Sequence, residues 1–303
     1  MSASCISVAS RFLMVLFALM LATGPAAACD VTLVGAGTTI RLDYDAFAFS
    51  RTVGRQNFEL ENRDEDACTI DLVLLNAERL PVGDAVIPDT DVRVTFSSRA
   101  GSAAVATTAT PGIWRITMAG NERMTVPLEA LVTQDAVPEA GDHALDLMLE
   151  VRDIGAPATN TAPAPVRVQL FAVPRAQMNI AGAAGTFGEG STVSHIDFGI
   201  LASDATRSVF LQVRANTTAR LTIDSAHRGR LLLKDKPDGD EGFSYQARLR
   251  GEEIDLTRHW EQVIEAPRSV AGTSMPLELR LGTIGPHVAG DYEDVLTLEI
   301  SAL

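Results

Sequence analysis

The chain has 303 residues, with 39 acidic side chains against 25 basic ones and a formal charge of −14 at pH 7. No basic patch stands out, which argues against nucleic acid or anionic membrane as partners. An acidic balance of this kind speaks for solubility and for no particular chemistry.

The first 28 residues carry one charge, Arg11, ahead of the apolar run FLMVLFALMLA (12–22) and a small-residue stretch, TGPAAA, ending at Ala28. This pattern predicts a secretory signal peptide over 1–28. A lipid attachment signal at Cys29 would want a leucine where Ala26 stands. Removing the segment takes away one positive charge, so the expected mature chain has −14 − 1 = −15. It also removes Cys5 and leaves Cys29 and Cys68, an even pair in an exported chain, for which a disulfide is the default expectation.

Beyond residue 29, helical periodicity with caps is absent and short alternating runs bounded by turn residues recur. Examples are VRVTF (92–96), IWRITM (113–118), APVRVQLFAV (164–173), SVFLQV (208–213), ARLTID (219–224), YQARLR (245–250) and MPLELRL (275–281). They predict an all-β chain of two immunoglobulin-like sandwich domains in tandem. The halves repeat one another. AGDHALDLMLEV (140–151) returns as AGDYEDVLTLEI (289–300), and PLEALV (127–132) as PLELRL (276–281) at the same offset. CTIDLVL (68–74) is matched with LTIDSAH (221–227), which sets Leu221 near the position of Cys68. The expected domains are 29–174 and 175–303, the first including the run after the PATNTAPAP stretch (157–165) as its last strand.

The second copy of the AGD phrase has no such strand after it, so the second domain is expected to lack one. A missing strand leaves unpaired backbone groups and uncovered core side chains, an invitation to strand addition by another chain. Over 291–300, Leu296, Leu298 and Ile300 fall on one face and Val295, Thr297 and Glu299 on the other. The first three are expected to line the groove beside an incoming donor strand.

No catalytic constellation emerges. VGAGTT (34–39) lacks a third glycine and a following helix. Ser191, His195 and Asp197 lie close in sequence without a nucleophile elbow. DKPDGDEG (235–242) puts Pro237 and Gly239 where calcium ligands should be, and the five histidines have no metal-ligand spacing. The expectation is a non-enzyme with no metal or cofactor. For surface binding, two loops at the far end of the first domain contain apolar residues: Leu80, Val82, Val86 and Ile87 in 80–88, and Val105, Ile113 and Trp114 in 100–114. Exposed apolar clusters mark binding sites when large enough.

The DFG of IDFGIL (196–201), the stretch GFSYQARLRGEEIDL (242–256), and Gly290, Tyr292 and Asp294 near the C-terminus resemble the spore coat protein U domain family, which includes subunits of archaic chaperone–usher pili. Asp291 stands where that family's ending usually has Thr. The resemblance implies export through a periplasmic chaperone and an outer-membrane usher. A chaperone strand first fills the subunit's groove, and a neighbouring pilin subunit's N-terminal extension then replaces it. A mature chain starting at Cys29 has essentially no extension to donate. It therefore resembles a tip adhesin, binding an abiotic or host surface with one domain and docking on the fibre with the other. The alternatives are a secreted coat or matrix protein that does not polymerise and, less in keeping with the acidic charge, a periplasmic chaperone.

Overall fold

The computed structural model describes residues 29–35, 37–48, 50–98, 105–133, 136–154, 162–181, 187, 194–235 and 242–303; the signal peptide expected over 1–28 and residues 100–104 of the second apolar loop lie outside them. The described residues form twenty-one strands and no helix. In chain order these are β1 (Val31–Val34), β2 (Thr38–Tyr44), β3 (Val53–Asn62), β4 (Cys68–Leu75), β5 (Asp84–Val86), β6 (Arg93–Ser97), β7 (Val105–Thr107), β8 (Ile113–Met118), β9 (Arg123–Val132), β10 (Gly141–Asp153) and β11 (Ala164–Ala172). There follow β12 (Ala176–Ile180), β13 (Thr206–Ala215), β14 (Ala219–Ser225), β15 (Arg230–Leu233), β16 (Gly242–Leu249), β17 (Glu252–Ile254), β18 (Trp260–Ile264), β19 (Thr273–Leu281), β20 (Tyr292–Glu293) and β21 (Leu296–Ala302). The all-β expectation stands.

Strands β1–β11 make a five-stranded sheet, β1-β3-β9-β6-β5, facing a six-stranded one, β2-β11-β10-β4-β8-β7. Between them lies one core that includes Leu60, Leu128, Ile116 and Leu149. The alternation behind this is plain in β8, where Trp114, Ile116 and Met118 point inward, and in β11, where Val166, Val168 and Leu170 do. Seven of the later strands make a second large sheet, β12-β13-β19-β16-β15-β20, with β17 on β16. It faces a small sheet, β18-β14-β21, across a separate core around Leu211, Leu221 and Leu277.

Pairing register corrects one detail of the repeat. Leu72 of β4 lies opposite Val151 of β10, and Leu221 of β14 lies opposite Ile300 of β21. Leu221 therefore corresponds to Leu72, not to Cys68. A sequence match of Thr-Ile-Asp outweighed the strand register, which only the partner strand fixes.

Cys29 and Cys68 form a disulfide, their Cα atoms 5.8 Å apart. The Cys29 thiol is thereby not free for acylation. The bridge closes a loop of 39 residues, worth about 3–4 kcal/mol in the chain-entropy account. The double variant C29S/C68S is expected to lose about that much in guanidinium unfolding, and a reducing agent should bring the wild type to the same midpoint.

Candidate functional site

The feature that separates the two halves is what flanks β10 and β21. In the N-terminal half β10 pairs with β4 on one side and, over Gly141–Leu149, with β11 on the other; β11 in turn pairs with β2 in parallel. In the C-terminal half β21 pairs with β14. Among the described residues nothing pairs with its outer edge.

The consequence is read in the side chains. Leu147, Leu149 and Val151 of β10 are 3%, 0% and 4% exposed. Their counterparts in the repeated phrase, Leu296, Leu298 and Ile300, also turn toward the core but are only partly buried, while Val295, Thr297 and Glu299 face solvent. β12 approaches β21 across the gap, and its Met178 and Ile180 are partly buried in the same way. The result is a groove with apolar walls, bordered by two strands, β21 and β12, that each end their sheet.

The edge is shorter than the sequence suggests. The phrase from 289 reads as one strand, like β10. Instead Tyr292 and Glu293 pair with Leu233 and Leu232 of β15 in the large sheet, and only from Leu296 does the chain join β14. The segment equivalent to the one β11 covers in the N-terminal half has no such neighbour among the described residues, and it turns to another sheet for its hydrogen bonds.

At this crossing the Asp294 side chain is 2% exposed. Its carboxylate accepts hydrogen bonds from Ser225 Oγ at 2.6 Å, Tyr245 OH at 2.5 Å and the His227 N–H at 2.9 Å. Burial, reinforced by the hydrogen bond to Asp294, pushes the Tyr245 phenol far above its usual pKa.

The two loops expected to bind a surface come together, but not at the far end. β10 runs from Gly141, beside the junction of the halves, to Asp153, and β4 pairs Ile70 with Asp153 and Leu75 with Met148. The loop after Leu75 therefore points back toward the C-terminal half. Residues 83–84 and 110–114 line one lateral cleft of about 360 Å³ between β6 and β7, with Phe96 and Trp114 among its lining and Thr95, Ser97 and Thr107 beside them. Of the apolar loop residues Ile113 lines this cleft and is partly exposed; Leu80 and Val86 are exposed and Val82 and Val105 partly so, outside its lining. Ile87 and Trp114 are 0% and 3% exposed and belong to the core, so they offer no surface. Trp114 is in phase with Ile116 and Met118, a signal the sequence contained. The far end is made instead by the loops 63–67 and 119–122, held together by buried Asn62, whose amide donates to the Asp66 and Ala119 carbonyls.

A third arrangement has no counterpart in the sequence reading. Asn216, fully buried, accepts the Arg175 N–H at 2.7 Å and donates to the Val173 carbonyl at 3.0 Å. Its own backbone exchanges hydrogen bonds with Arg175 and Ala140. Beside it the Arg214 guanidinium lies 4.6 Å from the centre of the Phe47 ring and 4.5 Å from that of Phe187. Burial lowers the Arg214 pKa. Ion pairs Arg175–Asp45 and Arg268–Glu139 flank the junction.

No family model matches the chain, and no curated protein matches it. Solved structures do. One is a chain of the chaperone–tip adhesion subunit pre-assembly complex CsuC–CsuE, from archaic chaperone–usher Csu pili of Acinetobacter baumannii. It is 8% identical with a TM-score of 0.43, the match covering 89% of this chain and 99% of that one. Another is CfaE, the adhesive subunit of CFA/I fimbria of enterotoxigenic Escherichia coli, at 9% identity and a TM-score of 0.36, covering 91% and 81%. A third is the CupB6 tip adhesin from Pseudomonas aeruginosa, at 11% and 0.34, covering 90% and 93%. The three names describe a tip adhesion subunit with its chaperone, an adhesive fimbrial subunit and a tip adhesin.

Proposed function

We propose that this chain is an exported, non-enzymatic adhesive subunit of a chaperone–usher pilus. Residues 29–174 form the surface-binding domain, and residues 175–303 accept a donor strand in the groove beside β21. The observation that carries the reading is the contrast between β10, covered by β11, and β21, whose outer edge no strand pairs with among the described residues. The N-terminal half serves as a filled reference for the C-terminal one: β11 contributes Val166, Val168 and Leu170 to its core at alternate positions. A donor strand with the same alternation would cover Leu296, Leu298 and Ile300. Its source would be a periplasmic chaperone first and a neighbouring pilin subunit at the outer-membrane usher later. Export by signal cleavage agrees with the position of the Cys29 nitrogen, 3.1 Å from Asp153 Oδ2, where a new ammonium group would meet a carboxylate. Within the N-terminal half, the exposed Leu80 and Val86 of the 80–88 segment are the apolar groups a surface would meet first.

The test is to append a copy of residues 163–173 to Leu303 through a flexible linker, in the chain 29–303. Completing the burial of three half-covered side chains is worth about 1 kcal/mol each, which raises the melting temperature of the C-terminal half by about 10 °C. An appended strand whose apolar residues are replaced by Ser should do nothing. No shift with the apolar strand would overturn the acceptor reading and leave a self-contained coat or matrix protein.

A further inference from the structure

Between β20 in the large sheet and β21 in the small one lie two residues, Asp294 and Val295. Over that span the chain leaves one layer of the sandwich and joins the other. Asp294 ties the crossing to both layers. Ser225 ends β14, the paired neighbour of β21; Tyr245 is on β16, in the opposite sheet. The same carboxylate accepts the His227 and Val295 backbone N–H groups at 2.9 and 2.8 Å, and the His227 ring Nδ1 is 3.3 Å away. Ser225 Oγ also accepts the Gly229 N–H at 2.7 Å, so the turn after β14 is fixed by the same cluster. Serine, histidine and aspartate meet here without being wired for catalysis. The serine donates to the carboxylate rather than to an imidazole, so the serine–imidazole link of a catalytic triad is missing here.

The corresponding position in β10 is Leu145, which lies opposite Val168 of β11. Where a neighbouring strand is present, an apolar residue suffices. Where it is absent, a buried carboxylate with at least four donors stands in its place. A carboxylate in that setting is stable only while its donors stay aligned, so it defines one position for the chain.

We propose that Asp294 is a positioning residue for strand addition: it holds β21 against β14, with its outer edge presented, while no strand pairs with that edge. The proposal rests on the acceptor reading above. It predicts that Asp294 matters most when the groove is empty. Once a strand pairs with the outer edge, β21 is held from both sides and the anchor becomes largely redundant.

The measurement is hydrogen exchange along the chain 29–303, with and without the appended copy of residues 163–173, for wild type and D294N. Without the appended strand, D294N should speed exchange of the Leu296–Ala302 amides about tenfold or more relative to β13 and β19, the factor one charge-assisted hydrogen bond confers. With the strand appended, the same substitution should change β21 exchange by about threefold or less, a coupling that an ordinary stabilising residue would not produce. Y245F removes a single donor and gives the same pattern at smaller amplitude should D294N fail to fold. Unchanged β21 exchange in the unextended variants would overturn the proposal, as would an equal effect in both forms. If the appended strand itself leaves wild type unaltered, the acceptor reading fails, while exchange in the unextended chain still decides whether Asp294 holds β21.

Discussion

L149A is expected to destabilise the N-terminal half by about 3 kcal/mol, whereas L298A, its counterpart in the repeat, costs the C-terminal half about 1 kcal/mol. The two leucines share a phrase, a strand and a facing direction. What differs is the strand beside them. Leu149 is fully buried within a sheet whose β10 is paired on both sides. Leu298 is only partly buried, on a strand paired on one side, so truncating it removes fewer contacts and leaves a notch open to water rather than a cavity. The chain contains two tryptophans, Trp114 in β8 and Trp260 in β18. Fluorescence of W260F and W114F backgrounds during guanidinium unfolding therefore follows each half separately. Filling the groove with the appended strand should bring the L298A cost up toward that of L149A. Equal costs without any added strand would mean that β21 is already as well packed as β10.

The second large effect is expected at the junction. N216A should cost about 2–3 kcal/mol, because it removes a fully buried amide and leaves the Arg175 N–H and the Val173 carbonyl without their side-chain partner. The readout that distinguishes a junction residue from a core residue is geometric. Limited proteolysis should begin to cut at 173–176, and small-angle scattering should broaden from one fixed arrangement of the halves to several. A loss of stability with unchanged scattering would place Asn216 among ordinary core groups.

Much of this was legible in advance because period-two alternation survives in a sandwich strand: IWRITM coincides with β8 and APVRVQLFA with β11. The repeat of the AGD phrase exposed the unequal treatment of β10 and β21. What failed was whatever depends on a partner. Ile87 sits beside turn residues and reads as a loop apolar, yet it is fully buried in the core between the sheets. The break after Glu293 could not be seen, since it follows from the absence of a neighbouring strand, and absences leave no residues to read. Asp294 reads as one letter of a family ending; three of its donors are 49, 67 and 69 positions away, and no local pattern links them. Asn216 and Arg214 end a strand with polar residues that resemble any surface terminus until the other half of the chain is set against them.

The route by which the halves are joined fixes how the N-terminal half would bear tension. The chain leaves that half at the end of β11 and enters β12 three residues later. β11 is an interior strand, bonded to β10 along nine residue pairs and to β2 along seven. A pull from the C-terminal half therefore acts along β11, in line with both neighbours. All of those pairs must slip together, as in a lap joint, rather than opening one at a time like a zip. The same pull on an edge strand turned across the sheet would part it bond by bond at much lower force.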